Sequence, residues 1–277
     1  MGTTASKAGK KSQCDTSALS PMDTATMTAI LAAVNEQQLA NMIPPLLVDL
    51  HGIVAEDHKD YDSPESLLDL DCDNGHHTLT LASLTRDWRK PVQLEGWSHD
   101  KEELESATAR CKDVRWENTN SSVTFSHIEP WSRLQKGLPI SPYFRHMYDL
   151  VLSALVVHRL PLDIFFKGIE GLLVRDGVAV ITCVHPDFAV AEAGCSGTED
   201  EQGGLGEKVR FKHSVKDVLE AAIRSGLTLQ EVVREAKLSI EVVQRLEHSQ
   251  REVVKEWVGR KVCFGVVFKR IVDDSRL

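Results

Sequence analysis

Residues 67–79 read Leu67-Leu68-Asp69-Leu70-Asp71-Cys72-Asp73-Asn74-Gly75-His76-His77-Thr78-Leu79. This is a short apolar run, a polar turn and the opening of a helix. Three carboxylates at alternate positions, a thiol and two imidazoles share that turn. Alternating aspartates are the opening ligands of a calcium-binding helix-loop-helix. The remainder of that loop is missing here. Asn74 stands where the sharp turn needs glycine, Gly75 comes one place late, position twelve is Thr80 rather than glutamate, and a strand precedes. No resident metal is expected, although Asp71 and Asp73 keep the chemistry to chelate a cation. Other reactive patterns lack their context. No serine lies in G-x-S-x-G. The six cysteines, Cys14, Cys72, Cys111, Cys183, Cys195 and Cys263, include no C-x-x-C pair and no zinc-finger spacing, so free thiols are expected. Gly203-Gly204-Leu205-Gly206 follows no strand and reads as a mobile lid rather than a phosphate cradle.

A strand-turn-helix binds ligands best in an open parallel sheet, where they sit past the carboxyl ends of the strands. The flanking sequence supplies such a sheet. Strands are expected at Ser66–Leu70, Val92–Trp97, Val123–His127, Tyr148–Val157, Val178–Val184 and Val262–Arg270. Helices are expected at His77–Trp88, Asp100–Cys111, Val215–Ser225 (ended by Gly226) and Ile240–Trp257. Alternation of the two predicts an α/β architecture with helices on both faces. Ahead of it, Met27, Ile30, Leu31, Val34 and Leu39 form an apolar helical face. Pro44-Pro45 is expected to end that helix, and Leu46, Leu47, Leu50 and Ile53 suggest a second. The domain reading is a disordered tail over 1–22, a helical cap over 23–60 and an α/β domain over 61–277. With 277 residues, net charge −9, 42% hydrophobic and 26% charged residues, the chain is of ordinary globular composition. That composition excludes a collagen-like or wholly disordered chain, and the acidic balance argues against nucleic acid as partner. No stretch reaches the length of a membrane span. The opening residues lack the apolar core of a secretory signal. Gly2 and Ser6 match a short, common myristoylation pattern, against which a cytoplasmic tail is preferred.

The turn resembles the first motif of class I S-adenosylmethionine-dependent methyltransferases, L-D-L-G-C-G-T-G-x-x-T, with Asp69, Cys72, Gly75 and Thr78 matching. The resemblance continues in order. Gly96-Trp97-Ser98-His99-Asp100 is similar to the second strand and helix start. Val123–Glu129 is similar to the third strand. Tyr148-Asp149-Leu150-Val151-Leu152-Ser153 through Leu160 is similar to Y-D-L-V-x-S-x-x-x-x-H-H-L. Gly171–Ile181 is similar to the turn and fifth strand, and His213–Leu227 to the helix before the last hairpin. It covers about residues 60–270. It implies a doubly wound, seven-stranded, methyltransferase-like (Rossmann-like) sheet with an N-terminal helical cap, and S-adenosylmethionine as cofactor.

The resemblance assigns cofactor contacts to Asp69, Asp71, Cys72, Asp73, Gly75, Ser98, Glu129 and Ser153. His158 and Tyr143 become candidate catalytic groups, taking a proton from an acceptor. Asp71 and Asp73 replace two family glycines, and Ser98 replaces the acid that holds the ribose hydroxyls. A carboxylate about 4 Å from the cofactor's own carboxylate would be repelled by on the order of 4 kcal/mol at an effective dielectric of 20. The implied function is an enzyme of small-molecule metabolism, cytoplasmic, with a small-molecule substrate. Two alternatives stand beside it: a repurposed fold that cyclises or rearranges its substrate, and a non-catalytic partner protein.

Overall fold

The structure is a computed structural model that describes residues 22–57, 65–128, 147–188, 213–231 and 233–271. The elements are α1 (Thr24–Asp57), β1 (Glu65–Leu70), α2 (His76–Thr85), β2 (Val92–Ser98), α3 (Lys101–Cys111), β3 (Ser122–His127), β4 (Tyr148–Ala154), α4 (Leu162–Leu172), β5 (Leu173–Val184), α5 (Val215–Arg224), β6 (Leu227–Leu229), β7 (Arg234–Lys237), α6 (Ile240–Arg245), α7 (His248–Val254) and β8 (Lys261–Arg270). Five strands pair in parallel in the order β3-β2-β1-β4-β5. β8 then pairs antiparallel with β5. β6 and β7 both pair antiparallel with β8, over Phe268–Arg270 and Lys261–Gly265 respectively. Between them Gln230 N–H donates to the Val267 carbonyl at 2.9 Å. These two short strands therefore lie along the same edge of β8, and the expected seven strand positions hold eight strands.

Alternation along the strands splits the core between two faces. Leu68, Leu70, Val151, Ala179, Ile181, Phe264 and Phe268 pack under Phe165 and Phe166 of α4 and Ala221 of α5. Leu67, Leu94, Leu150, Leu152, Val180 and Val267 pack under Leu81 of α2 and Leu39, Met42, Ile43 and Leu46 of α1. The earlier half of α1 uses Met27, Ile30 and Val34 against Leu238, Val242 and Trp257, with Met22 buried beside it. Residues 1–21 lie outside the described residues, and with them nearly all of the expected tail.

Two expectations are corrected. Pro44 and Pro45 do not divide α1, which runs unbroken through both. A proline inside a helix forfeits the bond to the carbonyl four residues back. For Pro45 that carbonyl belongs to Asn41, and Arg234 of β7 donates to it from Nη1 at 3.1 Å. The segment Ile240–Trp257, expected as one helix, is two. Leu246 turns extended (ψ 163°) and buries its side chain. Glu247 then opens α7 with a reciprocal capping box to Gln250.

The sheet accepts α1 because β8 carries Gly265 at the crossing. A Cβ there would strike Met42 Sδ and lie 2.7 Å from Gln38 Nε2. Gly265→Ala should cost about 1–3 kcal/mol through overpacking. The measurement is urea unfolding, with unchanged stability as the contrary result.

Candidate functional site

The turn after β1 is built from left-handed residues: Asp71 at φ 63°, Asp73 at φ 45° and Gly75 at φ 77°. Aspartate adopts this region more readily than most residues. The two aspartates thus occupy positions whose backbone suits glycine, and the turn forms regardless. Gly75 is held to glycine by a separate constraint. A Cβ on it would sit 2.7 Å from the Ala107 Cβ and 2.9 Å from its Cα, where α3 crosses the turn. Main-chain bonds fix the remainder: Cys72 N–H to the Trp97 carbonyl at 2.7 Å, and Gly75 N–H to the Cys72 carbonyl at 2.8 Å.

Asp69 lies beneath this turn, buried on β1. Its Oδ2 accepts from Thr78 Oγ1 at 2.6 Å, while its Oδ1 is buried with no hydrogen-bond partner among the described residues. Burial pushes its carboxyl up to about 7. The Thr78 bond works against the shift, and Asp73 and Asp71 add to it. The Cys72 thiol is pushed well up by burial and then by the same carboxylates, so it is no thiolate nucleophile.

The Asp71 side chain is 1% exposed, and its Oδ1 lies 3.0 Å from His99 Nδ1 at the end of β2. Ser98 is buried. It accepts from Asp100 N–H at 3.1 Å and donates to Glu103 Oε2 at 3.2 Å. The carboxylate nearest the family's ribose-acid position is therefore Glu103, in the first turn of α3. Its neighbours are committed elsewhere: Asp100 caps α3 and Glu95 accepts from Tyr148 and Ser126. Sequence reading passed over Glu103 because it stands five residues beyond the strand position. Its N3 position behind an Asp cap was the available signal.

At the end of β4, Ser153 Oγ is buried without a hydrogen-bond partner among the described residues. Two residues on, Leu155 takes φ 62°, its N–H bonded to the Thr182 carbonyl at 3.0 Å. A left-handed leucine is strained, and such strain gathers at functional sites. Nothing in its residue type announces it. His158, on the following 3-10 turn, is buried with Nε2 accepting from Val184 N–H at 2.7 Å. That bond places the ring proton on Nδ1. Its ring stacks on that of His213, with centroids 6.4 Å apart. Tyr143 and Glu129 lie outside the described residues, as does the glycine-rich segment 203–206.

α1 meets this region at the start of α2. Glu36 Oε1 lies 3.5 Å from His76 Nε2, and Asn35 Nδ2 lies 3.4 Å from His77 Nε2. Burial, and then His76, lower the His77 pKa to about 4. Among the described residues no group of three or more His, Cys, Asp or Glu side chains is arranged to hold a metal, and no helix is long and apolar enough to cross a membrane.

The crossing of β1, β2 and β4 beneath a left-handed turn can be set beside known proteins. No protein-family model matches the chain. An uncharacterized methyltransferase of Emericella nidulans is 29% identical over 211 residues, 72% of this chain and 70% of the relative. The chain is a class I methyltransferase-fold protein. An S-adenosylmethionine-dependent methyltransferase from Methanosarcina mazei superposes with a TM-score of 0.52 at 13% identity, covering 77% of this chain and 96% of that one. The 4+2 cyclase SpnF superposes with a TM-score of 0.51 at 14% identity, covering 81% of each chain. At these identities the two structures speak for the methyltransferase fold alone.

Stability should register both buried titrations. Folded Asp69 keeps its proton up to about 7 against an ordinary 3.8, so the folded chain binds more protons between those values and loses stability as pH rises. Folded His77 stays neutral down to about 4 against an ordinary 6.5, so its contribution is lost as pH falls through that window. Thermal melts across this range should show Asp69→Asn tilting the profile upward with pH relative to wild type, and His77→Gln tilting it downward. Parallel profiles would contradict both assignments.

Proposed function

We propose that this methyltransferase-fold protein is an enzyme that binds S-adenosylmethionine over the β1–α2 turn and acts on a small molecule lying under α1. The observation that carries this reading is the backbone. Among described residues four non-glycine positions have positive φ, and three of them, Asp71, Asp73 and Leu155, lie at the carboxyl ends of β1 and β4. The fourth, Asp176, is near the start of β5. Such strain costs of order 1–3 kcal/mol per residue, less for aspartate, and persists where the surroundings enforce it. The left-handed backbone at Asp71 and Asp73, where the resembled family carries glycine, supports a turn still shaped to receive the cofactor.

The residues fit the cofactor through their spare polar capacity. Asp69 and Thr78 hold the turn from below. Glu103, beside Ser98, is the carboxylate for the ribose hydroxyls. Ser153 Oγ and Asp69 Oδ1 are two of the buried polar atoms that have no hydrogen-bond partner among the described residues. When bound, the cofactor supplies an activated methyl group. The chain contributes orientation and exclusion of water, and α1 provides the cover through Asn35 and Glu36. His158 acts as a positioning group for the end of β5, with Tyr143 the candidate to take an acceptor's proton. The four described cysteines, Cys72, Cys111, Cys183 and Cys263, are buried free thiols, which supports a cytoplasmic setting.

A second reading draws on the replacement of the ribose acid by a buried serine. In that reading the same site holds a substrate in a reactive shape for cyclisation, a chemistry that SpnF performs on this fold.

Calorimetry decides between them. S-adenosylhomocysteine should give a saturable isotherm with Kd below about 1 mM, equivalent to at least about 4 kcal/mol of binding free energy. Absence of heat for both it and S-adenosylmethionine at millimolar ligand would refute the cofactor reading and leave the cyclase one.

A further inference from the structure

We propose that His99 is the counter-ion that lets the β1–α2 turn carry Asp71 and still receive a ligand bearing a carboxylate. The proposal rests on the cofactor reading above and adds a residue that the resemblance does not assign. Asp71 replaces a glycine in a turn that faces the carboxylate of the methionine group in that reading. Unpaired, its charge would oppose the ligand's charge.

The structure gives Asp71 a different environment. Its side chain is almost fully buried, and a buried carboxylate needs a partner. The partner comes from the neighbouring strand. Cys72 N–H reaches across to the Trp97 carbonyl, which draws the turn over the end of β2. His99 follows Ser98 directly, and its own carbonyl accepts from His127 Nε2 at 3.0 Å. With its backbone tied at that point, His99 sets Nδ1 3.0 Å from Asp71 Oδ1. The ring remains 46% exposed, at the mouth of the turn. The other carboxylates of the turn differ from Asp71. Asp69 lies beneath on Thr78, and Asp73 is exposed. Asp71 is thus the carboxylate of the turn that most needs a cation, and His99 is placed to be that cation.

The pairing accounts for a departure from the family pattern. A carboxylate at position 71 is tolerated because position 99 is a histidine. The two residues, just past the ends of β1 and β2 and 28 residues apart in sequence, meet in one contact.

The test compares two ligands that share the adenosine end and differ in the amino-acid end. S-adenosylhomocysteine carries the carboxylate with its α-ammonium, and 5′-methylthioadenosine carries neither. Both are titrated by calorimetry into the full chain at one low ionic strength, where exposed charges are least screened. His99→Asn removes the charge and should weaken S-adenosylhomocysteine by about tenfold or more while leaving 5′-methylthioadenosine within about twofold. His99→Lys should recover the loss. Asp71→Gly combined with His99→Asn should bind as wild type does, because the buried carboxylate that His99 faces is gone. Equal weakening of both ligands by His99→Asn would show a structural role and overturn the proposal. So would wild-type affinity of His99→Asn for S-adenosylhomocysteine. If no variant binds either ligand, the cofactor reading itself fails, and this assignment fails with it.

Discussion

Packing of α3 against the turn after β1 is the constraint on which the site depends. Gly75 and Ala107 approach so closely that no side chain fits between them. This contact fixes where α2 begins, and hence where Thr78 meets Asp69. It also sets how the turn leans over β2. Because Gly75 secures the turn from its far end, its first two left-handed positions do not have to be glycine. Aspartates there are tolerated at modest conformational cost, and the polar chemistry above the sheet follows from that freedom.

The second support is the long helix packed across one face of the sheet. α1 crosses β8 at Gly265 and carries two prolines that ought to break it. It continues because burial of Leu39, Met42, Ile43, Leu46 and Leu47 outweighs the lost bonds, at about 1.5–3 kcal/mol for each large apolar side chain. One exposed carbonyl is also taken up by Arg234. The N-terminal segment is consequently a layer of the fold. Its hold on α2 passes through His76 and His77, so α1 and the β1–α2 turn meet at one helix start.

Charge is distributed by the same geometry. Three aspartates in five residues look mutually repulsive on paper. Folded, they divide: Asp69 is buried on a threonine, Asp71 is paired with a histidine and Asp73 is exposed at the surface. A carboxylate's effect on a ligand is set by its partner and solvation rather than by its count.

The sequence by itself determined the six longer strands, most of the helices between them and the left-handed tolerance of the residues after β1, but not α4, β6 or β7. These rest on local periodicity, caps and φ preference, which act within a few residues. Asp100 before α3 and Gly226 after α5 were legible for that reason. Only the tertiary structure decided that Pro44 and Pro45 stay inside a helix, that Leu246 interrupts another and that Leu155 is strained. It alone also decided that Asp71 meets His99 and that Glu103 stands beside Ser98. Each of these depends on a contact between segments distant in the chain, where burial and pairing override local preference. No spacing along the sequence records which side chains will meet across neighbouring strands.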